Sequence, residues 1–215
     1  MKKYKTIAVF GSASGSTSSV HNQPMRLVGE LLAEKGIVMA FGVGDDGMIG
    51  RVFQGVRNKN GRVVGVTTQK LLSLQCKNPD VFHAGEIEIV QTLSARKRKM
   101  FELGEAILVG PGGWGTIDEF AEFAVTIQTG EIPKKPMIFL NFNGFWDPLR
   151  HLILNMLQEG TLNQNKVDFI DFVREVDEIF PAIAKVQKRL DAARAHAPAA
   201  VRTKTKPAGR RVQKA

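Results

Sequence analysis

The chain is poor in the residues and segments that identify several large classes of protein. Its single cysteine, Cys76, excludes a disulfide within the chain and fits a reducing compartment. No apolar run approaches the roughly 18 residues that a helix needs to cross a bilayer, so we expect no contact with a membrane. The basic N-terminus is followed at once by a short strand-like run, which leaves no room for the apolar core of a signal peptide. We therefore expect a cytoplasmic protein.

Histidines are also scarce, and this bears on metal chemistry. The four that occur, His21, His83, His151 and His196, are scattered along the chain without the short spacing of a metal site. We expect neither a metal nor a cofactor.

Acidic residues are absent from the C-terminal end, where much of the positive charge lies. The chain has 30 basic and 21 acidic residues and a net charge of +9. Residues 195–215 hold six of the basic residues, among much alanine and proline. Such a segment cannot bury a core, so we predict a folded domain over 1–194 and a disordered basic tail over 195–215. The alternative use of the tail is a weak, salt-dependent contact with nucleic acid or another polyanion.

Strand-like and helix-like segments alternate along the rest of the chain. We predict strands at 6–10, 37–41, 62–67, 86–91, 106–109, 137–140 and 168–172, and helices at 26–35, 48–58, 93–103, 115–128, 145–157 and 176–193. The stretch 68–84 is predicted to be irregular. This alternation favours an α/β fold, a single doubly wound Rossmann-like domain with a mostly parallel sheet. Such folds bind ligands at the carboxyl ends of their strands.

Three of the predicted strands end in glycine-rich turns, at 11–15, 42–50 and 110–115. Glycine lets the backbone approach a ligand closely, and the helix that follows each turn offers free amides to an anion. One such turn is equally explained by the need to reverse the chain, but three at one edge favour a phosphate-bearing ligand. No Gly-Lys-Ser/Thr follows, which excludes a nucleoside-triphosphatase P-loop. The first turn does not match G-x-G-x-x-G, and Phe41-Gly42 stands where an acidic residue would bind NAD, which disfavours that cofactor.

The residues richest in chemistry lie between Ser94 and Glu119. Arg96, Lys97, Arg98 and Lys99 follow one another on a predicted helix; such a run is also common on a solvated helix face. Thr116 stands near the start of the next helix, where a hydroxyl caps amides or meets a phosphate. Glu119 is predicted in the first turn of that helix, where a carboxylate also simply complements the helix dipole.

The segment 111–119, Pro-Gly-Gly-Trp-Gly-Thr-Ile-Asp-Glu, fits the pattern P-G-G-x-G-T-x-x-E without a mismatch, and Arg96-Lys97 begins fifteen residues before its proline. In this combination the chain resembles the Lonely Guy (LOG) family of cytokinin riboside 5′-monophosphate phosphoribohydrolases, which also carry the label "possible lysine decarboxylases". The resemblance covers roughly residues 6–157. It departs from the family at Leu93-Ser94-Ala95-Arg96-Lys97, where members often read M-H-E-R-K, so substrate preference here is expected to differ or activity to be low.

The resemblance implies an enzyme that hydrolyses the N-glycosidic bond of a nucleoside 5′-monophosphate, AMP or a cytokinin nucleotide, to a free base and ribose 5-phosphate. Glu119 would stabilise the positive charge on the ribose and activate water, and Arg96 would hold the ligand or assist the departing base. The residues expected to bind substrate are Gly11, Ser12, Gly44, Lys97, Gly112, Gly113, Trp114, Gly115 and Thr116.

Family members form homodimers or larger homo-oligomers, and the helix at 145–157 with Phe120, Phe123 and Val125 is the candidate contact surface, although such apolar side chains are equally typical of a core. Lysine decarboxylation is rejected, because the chain is short for the folds that use pyridoxal phosphate and has no lysine in a suitable context. Two alternatives remain open. One is a non-catalytic nucleotide or molybdenum-cofactor binding protein of the same fold, and the other is a nucleic-acid-associated protein that works through the basic tail.

Overall fold

The fold is built on one sheet of parallel strands, seen in a computed structural model that describes residues 4–75 and 85–196. Within these residues the sheet has seven strands in the order β4-β3-β2-β1-β5-β6-β7. The strands are β1 (Thr6–Phe10), β2 (Val38–Phe41), β3 (Val63–Thr68), β4 (Gly85–Val90), β5 (Ala106–Val109), β6 (Met137–Leu140) and β7 (Ile170–Val173). The helices are α1 (Asn22–Glu34), α2 (Gly47–Asn58), α3 (Gln69–Gln75), α4 (Leu93–Leu103), α5 (Trp114–Gln128), α6 (Asp147–Gln158) and α7 (Ile179–His196). The predicted α/β doubly wound architecture is confirmed.

The order of the strands reverses at the centre of the sheet. The chain moves outward from β1 through β2 and β3 to β4, and then returns to place β5 on the other side of β1. Ile7 of β1 is accordingly paired with Met39 of β2 and with Ala106 of β5. The loops after β1 and β5 must leave in opposite directions at this point, and they open a crevice at the carboxyl ends of the strands.

The central strands form the core because helices cover both faces of the sheet. Every residue of β5 and β6 is buried, which explains their continuous apolar sequences. β4 lies at the edge and is exposed or half-buried throughout. The aromatic side chains lie mainly in this core; Phe139 of β6, for example, contacts Phe120, Trp146 and Phe172.

Most predicted elements are present, and β1, β5, β6 and α4 have the predicted bounds. The prediction of an irregular stretch at 68–84 is wrong at Thr68, which ends β3, and over Gln69–Gln75, which is the short helix α3; the remainder of that stretch lies outside the described residues. α6 begins at Asp147 rather than at 145, because Asn143 and Gly144 both have positive φ and turn the chain immediately before it. The predicted last helix is divided into a 3₁₀ turn, Val176–Glu178, and α7.

The predicted boundary at 194 falls inside α7, whose last two residues are Ala195 and His196. The rest of the predicted tail lies outside the described residues, as do Cys76 and His83. Over 4–75 and 85–196, no helix is both long and apolar enough to cross a membrane.

Candidate active site

The three glycine turns converge at the crevice between β1 and β5. The Ser12 amide donates to the Pro111 carbonyl at 3.0 Å, and the Ile49 amide donates to the Ser12 carbonyl at 3.0 Å. Gly47 has a φ of +60°, and a Cβ at this position would lie 2.5 Å from the Ser14 carbonyl oxygen. Glycine at 47 therefore allows the second turn to pack directly on the first.

Between these turns lies a cavity of about 230 Å³, here called the active-site cavity. Eight of the eleven predicted site residues line it: Gly11, Ser12, Gly44, Arg96, Gly113, Gly115, Thr116 and Glu119. The remaining lining residues are Val9, Phe10, Ala13, Gly42, Ile49 and Met100. The cavity thus joins an apolar wall to a glycine-rich rim and to one pair of opposite charges.

That pair is Arg96 and Glu119, whose side chains are only 13% and 10% exposed. Arg96 lies in the first turns of α4, a helix that Thr92 caps by accepting a hydrogen bond from the Ala95 amide at 3.1 Å. Nη1 of Arg96 donates to Oε1 of Glu119 at 3.2 Å. The two groups that the sequence pattern singles out are therefore in direct contact, although they come from different helices.

The backbone at the ends of β2 and β3 fixes the orientation of the Arg96 guanidinium. Nε donates to the Val66 carbonyl at 3.1 Å, and Nη2 donates to the Gly42 carbonyl at 3.3 Å. A Cβ at Gly42 would lie 1.6 Å from Nη2, so only glycine leaves room for the guanidinium in this position. Sequence reasoning missed Gly42 as a site residue, although its place in a glycine turn directly after a strand was an available signal.

Glu119 has an unusual proton affinity for a carboxylate. Its pKa is raised from the usual 4.5 to about 7: burial is the largest cause, the Arg96 charge opposes it, the nearby Asp118 adds to the increase, and the Lys97 charge opposes it. Desolvation has the largest effect because the side chain is almost completely buried and has very little access to water. A carboxylate that titrates near neutral pH is well suited to exchange a proton with water or with a ligand.

The helix that carries Glu119 also offers an anion site. Gly113 is the N-cap of α5 and makes no side-chain cap, so the first amides of the helix are free to bind a ligand. A Cβ at Gly113 or Gly115 would meet no atom within 4 Å, which shows that this rim is open. α5 begins one residue earlier than predicted, at Trp114, so Glu119 lies in its second turn and not in its first. A role limited to complementing the helix dipole therefore does not explain Glu119.

Three predicted site residues lie outside the active-site cavity. Lys97 is buried outside this cavity, where its Nζ contacts Asp118 of α5 at 2.7 Å and also pairs with Glu122. Trp114 is 86% exposed. Gly112 lines a neighbouring cavity and packs closely against the side chain of Thr116.

Val43, next to Gly42, has a φ of +66° and is buried. The left-handed region is unfavourable for a β-branched residue, at a cost on the order of 1–2 kcal/mol. The turn that holds Arg96 is thus maintained against local strain by the packing around it.

Comparison with known proteins agrees with this geometry. Residues 49–183, which include Arg96, Glu119 and the glycine turn at 110–115, match a family model described as "Possible lysine decarboxylase". The chain belongs to this family, the Lonely Guy family.

Curated Lonely Guy relatives are phosphoribohydrolases by name. The cytokinin riboside 5′-monophosphate phosphoribohydrolase LOG of Oryza sativa subsp. japonica is 32% identical over 164 residues, which are 76% of this chain and 66% of the rice protein. The cytokinin riboside 5′-monophosphate phosphoribohydrolase LOG3 of Arabidopsis thaliana is 29% identical over 196 residues, which are 87% of this chain and 89% of that protein. These identities support a hydrolase.

Solved structures show the same fold at low identity. The molybdenum cofactor binding protein of Rippkaea orientalis has a TM-score of 0.62 at 17% identity and covers 87% of this chain and 99% of its own. A molybdenum cofactor carrier protein of Chlamydomonas reinhardtii has a TM-score of 0.61 at 16% identity, with 86% and 98% covered. Similarity at this level concerns the fold alone.

Proposed function

We propose that the protein hydrolyses the N-glycosidic bond of a nucleoside 5′-monophosphate, AMP or a cytokinin riboside 5′-monophosphate, to a free base and ribose 5-phosphate. The observation that carries the proposal is the buried Arg96–Glu119 pair beside the open N-terminus of α5. The names of the relatives support the same reaction.

The cavity suggests how each part of the substrate binds. The 5′-phosphate accepts hydrogen bonds from the first amides of α5 and from the Thr116 hydroxyl, and it lies at the positive end of the helix dipole. The ribose then lies towards Glu119. As the C1′–N bond breaks, its electron pair leaves with the base, and positive charge develops on the ribose.

Ionised Glu119 stabilises that charge and accepts a proton from the attacking water, whose oxygen forms the new bond to C1′. Arg96 stays charged throughout and holds Glu119 and the ligand in place by hydrogen bonds. The base leaves with the proton that Glu119 returns, which restores the carboxylate, or with a proton from solvent, in which case Glu119 releases its own proton to solvent.

The substitution Glu119→Gln tests this role. It keeps the shape of the side chain but removes its charge and its basicity, so we expect AMP binding to persist and hydrolysis to fall by about 10²–10⁴-fold. The assay incubates the native and variant chains with AMP and with an N6-isopentenyl nucleotide, and measures the released base by chromatography.

Glu122→Gln is the matched control, since Glu122 is on the same helix but pairs with Lys97 outside the cavity. It should leave base release close to that of the native chain. Undiminished turnover in Glu119→Gln would remove this carboxylate from the mechanism.

A non-catalytic nucleotide or molybdenum-cofactor binding protein is the second candidate. The fold similarity to the molybdenum-cofactor proteins supports it, as do Ser94 and Ala95, which are exposed at the start of α4 where the family often has histidine and glutamate. Saturable AMP binding without base release from any tested nucleotide would favour this candidate.

We also propose a cytoplasmic homo-oligomer. α6 has no fully buried residue, and it exposes Leu152 and Met156 one turn apart on the same face. In the predicted contact surface, Phe123 is instead part of the core, whereas Val125 is 58% exposed. A second copy of the chain that covered α6 would remove its apolar side chains from water.

A further inference from the structure

A second cavity, which we call the annex, adjoins the active-site cavity. It has a volume of about 390 Å³ and shares two lining residues, Ser12 and Gly113, with the active-site cavity. Its other walls include His21, Met48 and Phe145. The proposed hydrolysis of a mononucleotide leaves these three side chains without a role.

The annex lies beside the expected phosphate position and not beside the reacting carbon. Arg96 and Glu119 line the active-site cavity and are absent from the lining of the annex, whereas Gly112 lines only the annex. Gly44, from the turn after β2, lines the active-site cavity, and Phe145, from the turn after β6, lines the annex. Met48, at the start of α2, also lines the annex. The two cavities therefore adjoin at the switch point between β1 and β5, where doubly wound folds bind the phosphates of two-part ligands.

The walls of the annex suit a flat aromatic group. The rings of His21 and Phe145 meet edge to face, with centroids 5.9 Å apart and an angle of 90°. Met48 adds a flexible apolar surface. A pocket with aromatic and apolar walls and few polar groups is typical of sites that bind ring systems.

His21 is the buried polar ring within these walls, which also include the hydroxyl side chains of Ser12, Thr17 and Ser18. It is 7% exposed, and its Nδ1 has no hydrogen-bond partner among the residues that the structure describes. Burial lowers the pKa of the ring, which favours the neutral form. An unpaired buried nitrogen in a native structure calls for an explanation, and a ligand with a hydrogen-bonding edge that draws the ring into a small reorientation would supply one.

Volume points in the same direction. The active-site cavity, at about 230 Å³, is smaller than the roughly 300–1,000 Å³ typical of small-molecule sites. With the annex, the combined space falls within that range. A mononucleotide whose phosphate lies at α5 and whose ribose lies at Glu119 leaves the annex empty.

We infer that the annex binds the second aromatic group of a pyrophosphate-linked dinucleotide, whose pyrophosphate spans Ser12 and Gly113. This inference rests on the proposed function, which places the phosphate at α5. The first nucleoside lies at Glu119, where water adds to C1′ and the base leaves. With diadenosine diphosphate, water cleaves one N-glycosidic bond and the products are adenine and ADP-ribose. The ligand is a substrate at this site and not a redox cofactor.

Three ligands separate the contributions to binding: AMP, ADP and diadenosine diphosphate. ADP has the second phosphate without the second ring, so it controls for the pyrophosphate; its free terminal phosphate adds negative charge, which favours ADP over the dinucleotide at the positive end of α5. Isothermal titration on the full-length Glu119→Gln chain measures affinity without turnover. We expect diadenosine diphosphate to bind about tenfold or more tightly than ADP, because the annex buries an aromatic surface.

Phe145→Ala removes a half-exposed wall of the annex, and Leu154→Ala removes a side chain of similar exposure on α6 as the matched control. Phe145→Ala should weaken diadenosine diphosphate about fivefold or more relative to AMP, and Leu154→Ala should leave that ratio unchanged. Equal affinity for ADP and diadenosine diphosphate overturns the inference. So does an equal loss for AMP and the dinucleotide in Phe145→Ala, since the annex would then hold the base of the mononucleotide itself.

The outcomes also separate this inference from the proposed function. Release of adenine from AMP by the native chain, with no preference for the dinucleotide, leaves the hydrolase in place and rejects the dinucleotide. Preferential binding of the dinucleotide without release of adenine from any ligand rejects the hydrolase and keeps the annex as a binding site.

Discussion

The position of Arg96 depends on the absence of a side chain at Gly42, and this leads to a quantitative prediction. An alanine Cβ at 42 would lie 1.6 Å from Nη2 and 2.7 Å from Cζ of Arg96. Non-bonded atoms of this kind approach to about 3.5 Å, so the guanidinium must move by roughly 2 Å. The 3.2 Å hydrogen bond to Glu119 does not survive such a shift.

The expected loss follows from the strength of that contact. A hydrogen bond to a charged group contributes about 1.5–3 kcal/mol, which corresponds to roughly a ten- to hundredfold decrease in kcat/KM for base release from AMP. The backbone at Gly42 lies outside the left-handed region, so alanine adopts it without strain. We therefore expect the Gly42→Ala chain to stay folded, which circular dichroism and thermal unfolding would verify.

A double-mutant cycle with Arg96→Ala isolates the cause. Once the guanidinium is removed, the space that it occupied accepts the new Cβ, so Gly42→Ala should have almost no further effect in that background. Full activity of Gly42→Ala would refute the reasoning about Arg96. The same loss in both backgrounds would show that Gly42 acts through the conformation of its turn instead.

Three further predictions follow from Glu119 and from α6. Because ionised Glu119 is the active form, kcat/KM should rise as the pH passes about 7. Arg96→Ala removes a charge that lowers the Glu119 pKa, so this variant should show the rise at higher pH. A pH profile of the native chain that is flat from pH 5 to 9 would contradict the prediction. The folded chain binds the Glu119 proton more tightly than the unfolded chain does. The free energy of folding that this proton contributes is therefore lost as the pH rises from 4.5 to about 7. In urea unfolding, the free energy of unfolding of Glu119→Gln should increase by about 3 kcal/mol relative to that of the native chain across that interval. A difference between the two chains that does not change with pH would argue against this prediction. In light scattering the native protein should have at least twice the mass of one chain. The double substitution Leu152→Lys with Met156→Lys should reduce this mass to that of a single chain, whereas Leu74→Lys, a control at another exposed leucine, should not. A monomeric native protein would exclude the proposed oligomer.

The sequence was sufficient to predict the residues that belong to one continuous motif. Gly113, Gly115, Thr116 and Glu119 follow each other on a turn and its helix, so their local spacing fixes which of them face the cavity. Arg96 was predicted through its separation from that motif, and in the structure its guanidinium contacts Glu119.

Lys97 was predicted to bind substrate but lies outside the active-site cavity. Successive residues of a helix point about 100° apart, so Arg96 and Lys97 could not both face the same small cavity. Applying this helical geometry to the sequence would have set Lys97 apart from Arg96. Its pairing with Asp118 and Glu122 explains where it points instead.

Other parts of the site depend on contacts that no local pattern carries. The Val66 carbonyl meets Arg96 only because β3 lies beside β2 in the sheet. The annex walls His21 and Phe145 are 124 positions apart and meet through the fold alone. α3 was missed because Gln69–Gln75 is a single short helix at the end of a strand, too brief for an apolar period to develop.

Among the residues that the structure describes, two of the three hydrogen-bond partners of Arg96 are main-chain oxygens, and this affects how the molecule can change over evolutionary time. Carbonyl groups persist through nearly every substitution, so the direction of the guanidinium is insulated from exchanges among neighbouring side chains. The start of α4 and the surroundings of His21 are then free to accept new residues while the charged centre keeps its geometry. A scaffold arranged in this way can acquire preferences for different ligands without rebuilding the groups that act on them.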